Sequence, residues 1–158
     1  MSDARFEDGG DRPLRLKALD VEDLAVMSSL TQDAVFPASE MRWDRKARRF
    51  ALLVNRFRWE DAPNAKIGKR NVERVQTVLT VEDVMSVQSQ GVQAGDADTI
   101  MSLLSVAFEP STDGMGRVVL TLSGDGAIAI EVEALELMLA DVTRPYIAPS
   151  KQVPQHCD

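Results

Sequence analysis

Cysteine and histidine are nearly missing from this 158-residue chain, at one of each. Cys157 has no second thiol to join, so an intramolecular disulfide and a multi-thiolate metal site are both excluded within one chain. His156 is the lone imidazole and stands beside Cys157. A hydrolytic triad therefore lacks an internal base. His156, Cys157 and Asp158 are adjacent ligands that cannot surround a tetrahedral metal. Aromatic side chains amount to 5%, too few to line a large pocket for a flat ring system, and no cofactor is expected. No segment approaches the roughly eighteen uncharged apolar residues that a membrane helix needs. The start of the chain, Met1 to Gly10, is acidic and polar, where a secretory signal needs a basic start and an apolar run. The expectation is a cytoplasmic protein with no membrane partner.

What is present fits one globular domain. Domains typically take about 100 to 200 residues, and at this size roughly 70% of the unfolded chain's surface can be buried without staples. Hydrophobic residues make up 44% and charged residues 27%, the balance of a soluble folded protein. The net charge of −7 hides a division. Residues 1–40 carry −5, residues 41–74 carry +7 and residues 75–158 carry −9. A basic centre between two acidic arms bears on partners rather than on fold.

Along the chain, residues 1–13 read as a flexible leader, 14–146 as a single domain and 147–158 as a flexible tail. Leu14, Leu16 and Ala18 alternate with Arg15 and Lys17 in the period of a strand. Asp20 fits a helix N-cap, with Asp23 three residues later, and Val21, Leu24, Met27 and Leu30 form one helical stripe; the helix is predicted over Val21 to Thr31. Ala34 to Phe36 and Met41 to Trp43 are short strands interrupted at Pro37, and Asp44-Arg45-Lys46 is a polar turn. Arg48 to Trp59 is a longer strand, with Phe50, Leu52 and Val54 and then Arg56 and Arg58 on one parity. Glu60 to Gly68 is a loop and Val72 to Val81 a strand. The apolar phase slips at Glu82-Asp83, which predicts a bulge or tight turn. Gly91 to Asp98 is read as a turn, with one helical turn after Asp96. Ile100 to Phe108 is strand, and Pro110 to Gly116 a second loop. Arg117 to Ser123 and Ala127 to Val132 flank Gly124-Asp125-Gly126 as a hairpin. Residues 134–142 suit a strand or a helix, with the strand preferred. The fold class is α+β: mainly antiparallel sheet, able to curve into an open barrel, with one clear N-terminal helix packed on it. Leu19 to Leu24 and Leu79 to Val84 match at four of six positions, but they fall in different predicted elements and diverge at once, so the match is read as chance.

Leu16-Lys17-Ala18-Leu19-Asp20, Gln32-Asp33-Ala34, Met41-Arg42-Trp43, Arg48 to Leu52, Asn55-Arg56-Phe57 through Trp59-Glu60, and Phe108-Glu109-Pro110 are the residues that carry a family likeness. Together they resemble an uncharacterised bacterial family of about this length, typical of alphaproteobacteria and catalogued as a domain of unknown function. The resemblance spans residues 14 to about 145. It implies no activity, so function rests on the residues themselves.

The basic centre interleaves arginines and lysines with Trp43, Phe50, Phe57 and Trp59. Cationic groups beside planar rings suit single-stranded nucleic acid. The same residues can equally edge strands, cover rings with their stems and pair with the acidic arms of their own chain. The contact residues chosen are Arg42, Trp43, Arg48, Arg49, Arg56, Arg58 and Trp59. The leading function is a non-enzymatic binding or interaction module with a charge-divided surface, taking a protein partner or a second copy as a homo-dimer; binding of single-stranded RNA or DNA is the alternative. An enzyme using Glu22, Asp23, Glu82, Asp83, Glu131 or Glu133 is remote, because spacing singles out no pair and Glu131 and Glu133 equally suit a solvated strand face. No catalytic or metal-binding residue is assigned.

Overall fold

Alternating apolar side chains become strands wherever a second strand can accept the backbone hydrogen bonds, and here nearly every such run finds one. The computed structural model describes residues 13–57, 73–92, 99–142 and 146–147. In chain order the elements are β1 (Arg15–Ala18), α1 (Val21–Leu30), β2 (Ala34–Pro37), a short 3₁₀ turn (Ala38–Glu40), β3 (Met41–Asp44), β4 (Arg49–Phe57), β5 (Glu73–Val81), β6 (Val84–Gln90), β7 (Ile100–Pro110), β8 (Gly116–Leu122), β9 (Gly126–Val132), β10 (Leu137–Asp141) and β11 (Tyr146–Ile147). The eleven strands join one antiparallel sheet along the path β1-β10-β5-β4-β2-β7-β8-β9-β6, with β3 beside β4 and β11 beside β5. The path has two ends, so the sheet is open and does not close into a barrel. The class is α+β.

The core follows strand parity. Phe50, Leu52 and Val54 on β4 turn inward with Leu79 and Val81 on β5, Leu120 and Leu122 on β8, Ile128 and Ile130 on β9, and Leu137 and Leu139 on β10, all buried. Burying each such side chain contributes about 1.5–3 kcal/mol. The helix covers part of this surface with Leu24 and Met27. Its start is capped as the sequence predicts: the Asp20 carboxylate accepts the Asp23 amide at 2.8 Å. Val21, counted on the apolar stripe, is 57% exposed. The helix stops at Leu30, one residue early, because Thr31 is the C-cap and its hydroxyl donates to the Met27 and Ser28 carbonyls. Ser28 Oγ in turn accepts the Val106 amide at 2.9 Å, tying the helix to β7.

The phase slip after Val81 resolves into both devices at once. Asp83 makes the tight turn at φ 57°, and β6 carries a bulge where Val84 and Ser86 flank one extra residue, Met85, against Val132 and Glu131 of β9. The Gly124-Asp125-Gly126 hairpin forms, with Leu122 opposite Gly126. The ambiguous stretch is a strand, β10, seated between β1 and β5. Within the other hexapeptide, Val21 to Leu24 open α1, whereas Leu79 to Val84 pass from β5 through a turn into β6. The leader, the Glu60 to Gly68 loop, the end of the first long strand at Arg58 and Trp59, the turn proposed after Asp96 and the tail from residue 148 lie outside the described residues. Ile147 pairs with Glu73 through β11.

Candidate functional site

The basic centre is split by the fold into two kinds of cation. Trp43 lies opposite Phe50, and Asp44 opposite Arg49, so Arg45 to Arg48 form the turn joining β3 to β4. Asp44 Oδ1 accepts the Ala47 amide at 3.1 Å, and the Arg45 carbonyl accepts the Arg48 amide at 3.2 Å. Arg48 closes the turn at φ 58°. Among the described residues the other non-glycine positions with positive φ are Asp33, Asp83, Asp113 and Asp125. Aspartate reaches that conformation with local hydrogen-bonding help, and an arginine does not. Backbone strain at this turn is therefore borne by an arginine.

Arg48 at the end of the turn, and Arg49 and Arg56 on β4, are answered from the C-terminal acidic arm. Arg49 Nε donates to Glu82 at 2.9 Å. Arg48 pairs with Glu133, whose hydrogen bond and charge raise the Arg48 pKa above its ordinary value. Arg56 is fully buried, and so is the side chain of Asp141 that it meets. Its Nη2 donates to both Asp141 oxygens at 3.0 and 3.2 Å, its Nε to Thr77 Oγ1 at 3.0 Å and its Nη1 to the Phe57 carbonyl at 3.1 Å. A sealed guanidinium cannot meet a partner, so Arg56 is withdrawn from the contact residues and becomes part of the core. Arg74 stacks 4.2 Å from the Phe57 ring centroid and donates to Asn55 Oδ1 at 2.6 Å.

At the turn the pattern reverses. Arg42, Arg45 and Lys46 are exposed, and no acidic side chain among the described residues lies within ion-pair distance of them. Between them sits Trp43, half-buried and packed against the core. Two surface grooves share Trp43 and Arg45. One, of 560 Å³, runs from Trp43, Arg45 and Arg48 to Val84, Met85, Ser86 and Val87 of β6, with Glu133 at its side. The other, of 580 Å³, is lined by Met41 to Lys46. Arg42, Trp43, Arg48 and Arg49 are thus brought to one end of the sheet, while Arg58 and Trp59 lie outside the described residues. Arg45, Lys46 and Met85 were not chosen from the sequence. Arg45 and Lys46 carried the available signal, since cations in a predicted turn face solvent by default; Met85 carried none.

Of the six carboxylates considered for catalysis, Glu82, Glu131 and Glu133 are engaged by arginines. Glu131 lies across from Arg117 and accepts its Nε at 2.8 Å, which raises the Arg117 pKa through the hydrogen bond and the charge of Glu131. Glu133 and Glu82 hold Arg48 and Arg49. Two residues apart on the chain, Glu131 and Glu133 pair with different arginines and do not form a carboxylate pair around one substrate.

Comparison with known proteins agrees with this bare chemistry. A family model described as "Protein of unknown function (DUF2948)" matches residues 14–156. The chain belongs to the DUF2948 family. No curated protein and no solved structure matches it. The resemblance drawn from the segments between Leu16 and Pro110 therefore led to the right kind of family, an uncharacterised one, and the DUF2948 match adds the stretch from about 145 to 156. Among the described residues of this DUF2948 chain, no helix is long and apolar enough to cross a membrane.

Proposed function

We propose that this protein is a non-enzymatic cytoplasmic interaction module that takes an anionic partner at the β3–β4 turn. One observation carries the reading: Arg42, Arg45 and Lys46 stay exposed and unpaired around Trp43, although the chain has an excess of acid and uses it to neutralise Arg48, Arg49 and Arg56. A molecule with net charge −7 has carboxylates to spare for three more cations. Three cations with only Asp44 among them leave a net positive potential there, which speeds encounter with the opposite sign. The half-buried ring beside it supplies apolar contact for whatever the charges attract.

The test uses two fluorescent anionic probes, an acidic peptide and a single-stranded RNA, followed by anisotropy in low and moderate salt. Binding that weakens as salt rises, and that is lost when Arg42, Arg45 and Lys46 are each changed to Glu, supports the reading. Failure of both probes to bind in low salt, where such contacts are strongest, removes it.

A further inference from the structure

The two ends of the sheet are built differently. β1 closes one end with Arg15 and Lys17, both exposed, and charged residues on an edge discourage another strand from pairing there. β6 closes the other end with Val84-Met85-Ser86-Val87-Gln88-Ser89-Gln90, which contains no charge and no proline. Among the described residues β6 pairs with β9 alone. Its first amide, Val84, donates to the Arg48 carbonyl at 3.0 Å, so the strained end of the basic turn already occupies the position beside β6 that a neighbouring strand would take. Beyond Val84 no described backbone continues that line. Ser86 to Gln90 keep a regular register against β9, from Ser86 opposite Glu131 to Gln90 opposite Ala127.

The 560 Å³ groove follows this edge. Four consecutive residues, Val84 to Val87, contribute to its lining. Arg48, whose carbonyl takes the Val84 amide on the side of β6 away from β9, lines the same groove, which places the groove beside that edge. The bulge turns Met85 outward, 43% exposed, into the same groove. Trp43 and Arg45 stand on its far side.

We infer that the β6 edge accepts an extended acidic peptide as an added strand, its backbone bonding to Ser86–Gln90 and a carboxylate meeting Arg45 in the groove, with Lys46 next to it on the turn. This names the partner for the anionic-surface reading above and rests on it. An extended peptide is preferred to a nucleic-acid strand because the groove offers a row of backbone donors and acceptors, which a peptide matches group for group, and a single described ring, Trp43. A partner must bring its own acid, since β6 has none to answer the cations.

The experiment uses the full chain, isotope-labelled, with a capped seven-residue peptide alternating glutamate and valine, the length of β6, a lysine-valine control peptide and a single-stranded RNA. Binding is read by anisotropy and amide exchange by NMR. The expected result is that the acidic peptide alone binds, slows exchange within Ser86–Gln90, and loses affinity roughly tenfold or more in R45E/K46E, whose urea midpoint stays that of the parent. Peptide binding without slower exchange in Ser86–Gln90 overturns strand addition while leaving the anionic-partner reading in place. Binding of the RNA alone does the same. No binding of either anionic probe overturns both. A dimer in light scattering, with those amides already protected before peptide is added, overturns the inference in favour of a second copy.

Discussion

Changing Asp141 to Asn should be among the most damaging single substitutions in this protein, and its cost can be worked from the contacts. The carboxylate accepts from Arg56 Nη2 twice, from the Thr77 hydroxyl at 2.8 Å and from the Leu14 amide at 2.8 Å. Both charged side chains are fully shielded from water. Asparagine keeps the shape but removes the negative charge and turns one acceptor into a donor facing other donors. The guanidinium then stays buried without a counter-charge, which costs about 3–5 kcal/mol. Domains of this kind are stable by about 5–15 kcal/mol, so a large share disappears. With a urea slope of about 1–3 kcal/mol per molar, the midpoint falls by about 1 M or more. Urea unfolding followed by tryptophan fluorescence gives the number. The companion is the double variant Arg56→Met with Asp141→Leu, which removes both charges together and should recover most of the loss, because a buried pair replaced by apolar groups is often near neutral. A stability for Asp141→Asn within about 1 kcal/mol of the parent, or a double variant no better than the single, would refute the view that charge compensation holds this corner.

Two further substitutions test the packing on either side of the sheet. Gly116 has no room for a methyl group, since a Cβ there would lie 2.5 Å from the Glu109 carbonyl oxygen and from the Phe108 ring; Gly116→Ala should cost about 1–3 kcal/mol and lower the melting temperature, and an unchanged melt would show that β7 and β8 give way freely. Ser28→Ala leaves the Val106 amide without the acceptor it has at 2.9 Å, which should cost about 1–3 kcal/mol and speed amide exchange at Val106 specifically; no change there would mean that the tie between α1 and β7 is dispensable.

Local periodicity carried much of this fold. The alternation in Phe50, Leu52 and Val54, the cap at Asp20 and the glycines around Asp125 each act within a few residues, and each is seen in the structure. Pairing was not legible in the same way, because β10 could have met any partner of matching parity, and nothing local says that it lies between β1 and β5. Arg56 shows the limit most clearly. It sits on the same parity as Phe50, Leu52 and Val54, so the pattern already pointed it inward. Its charge argued outward. The decision belonged to Asp141, 85 residues further on, and no spacing rule connects the two. The candidate site divided along the same line: turn cations stay in solvent for local reasons, whereas the fate of Arg48 and Arg49 was set by Glu133 and Glu82 from distant strands.

The clasp between Leu14 and Asp141 has a bearing on how the molecule comes into being. Leu14 gives its amide to the Asp141 carboxylate and takes the Asp141 amide with its carbonyl, across 127 positions of chain. During synthesis β1 is made first and must wait for its neighbour until residue 141 has left the ribosome. Arg56 waits with it, and so does the outer edge of β5. Closing such distant ends late is slow in proteins dominated by non-local pairing, which typically fold in milliseconds to seconds. A nascent chain stalled before residue 141 would expose a strand edge and an uncompensated guanidinium together. Folding of this protein is therefore expected to finish in one late step that seats β10 between β1 and β5.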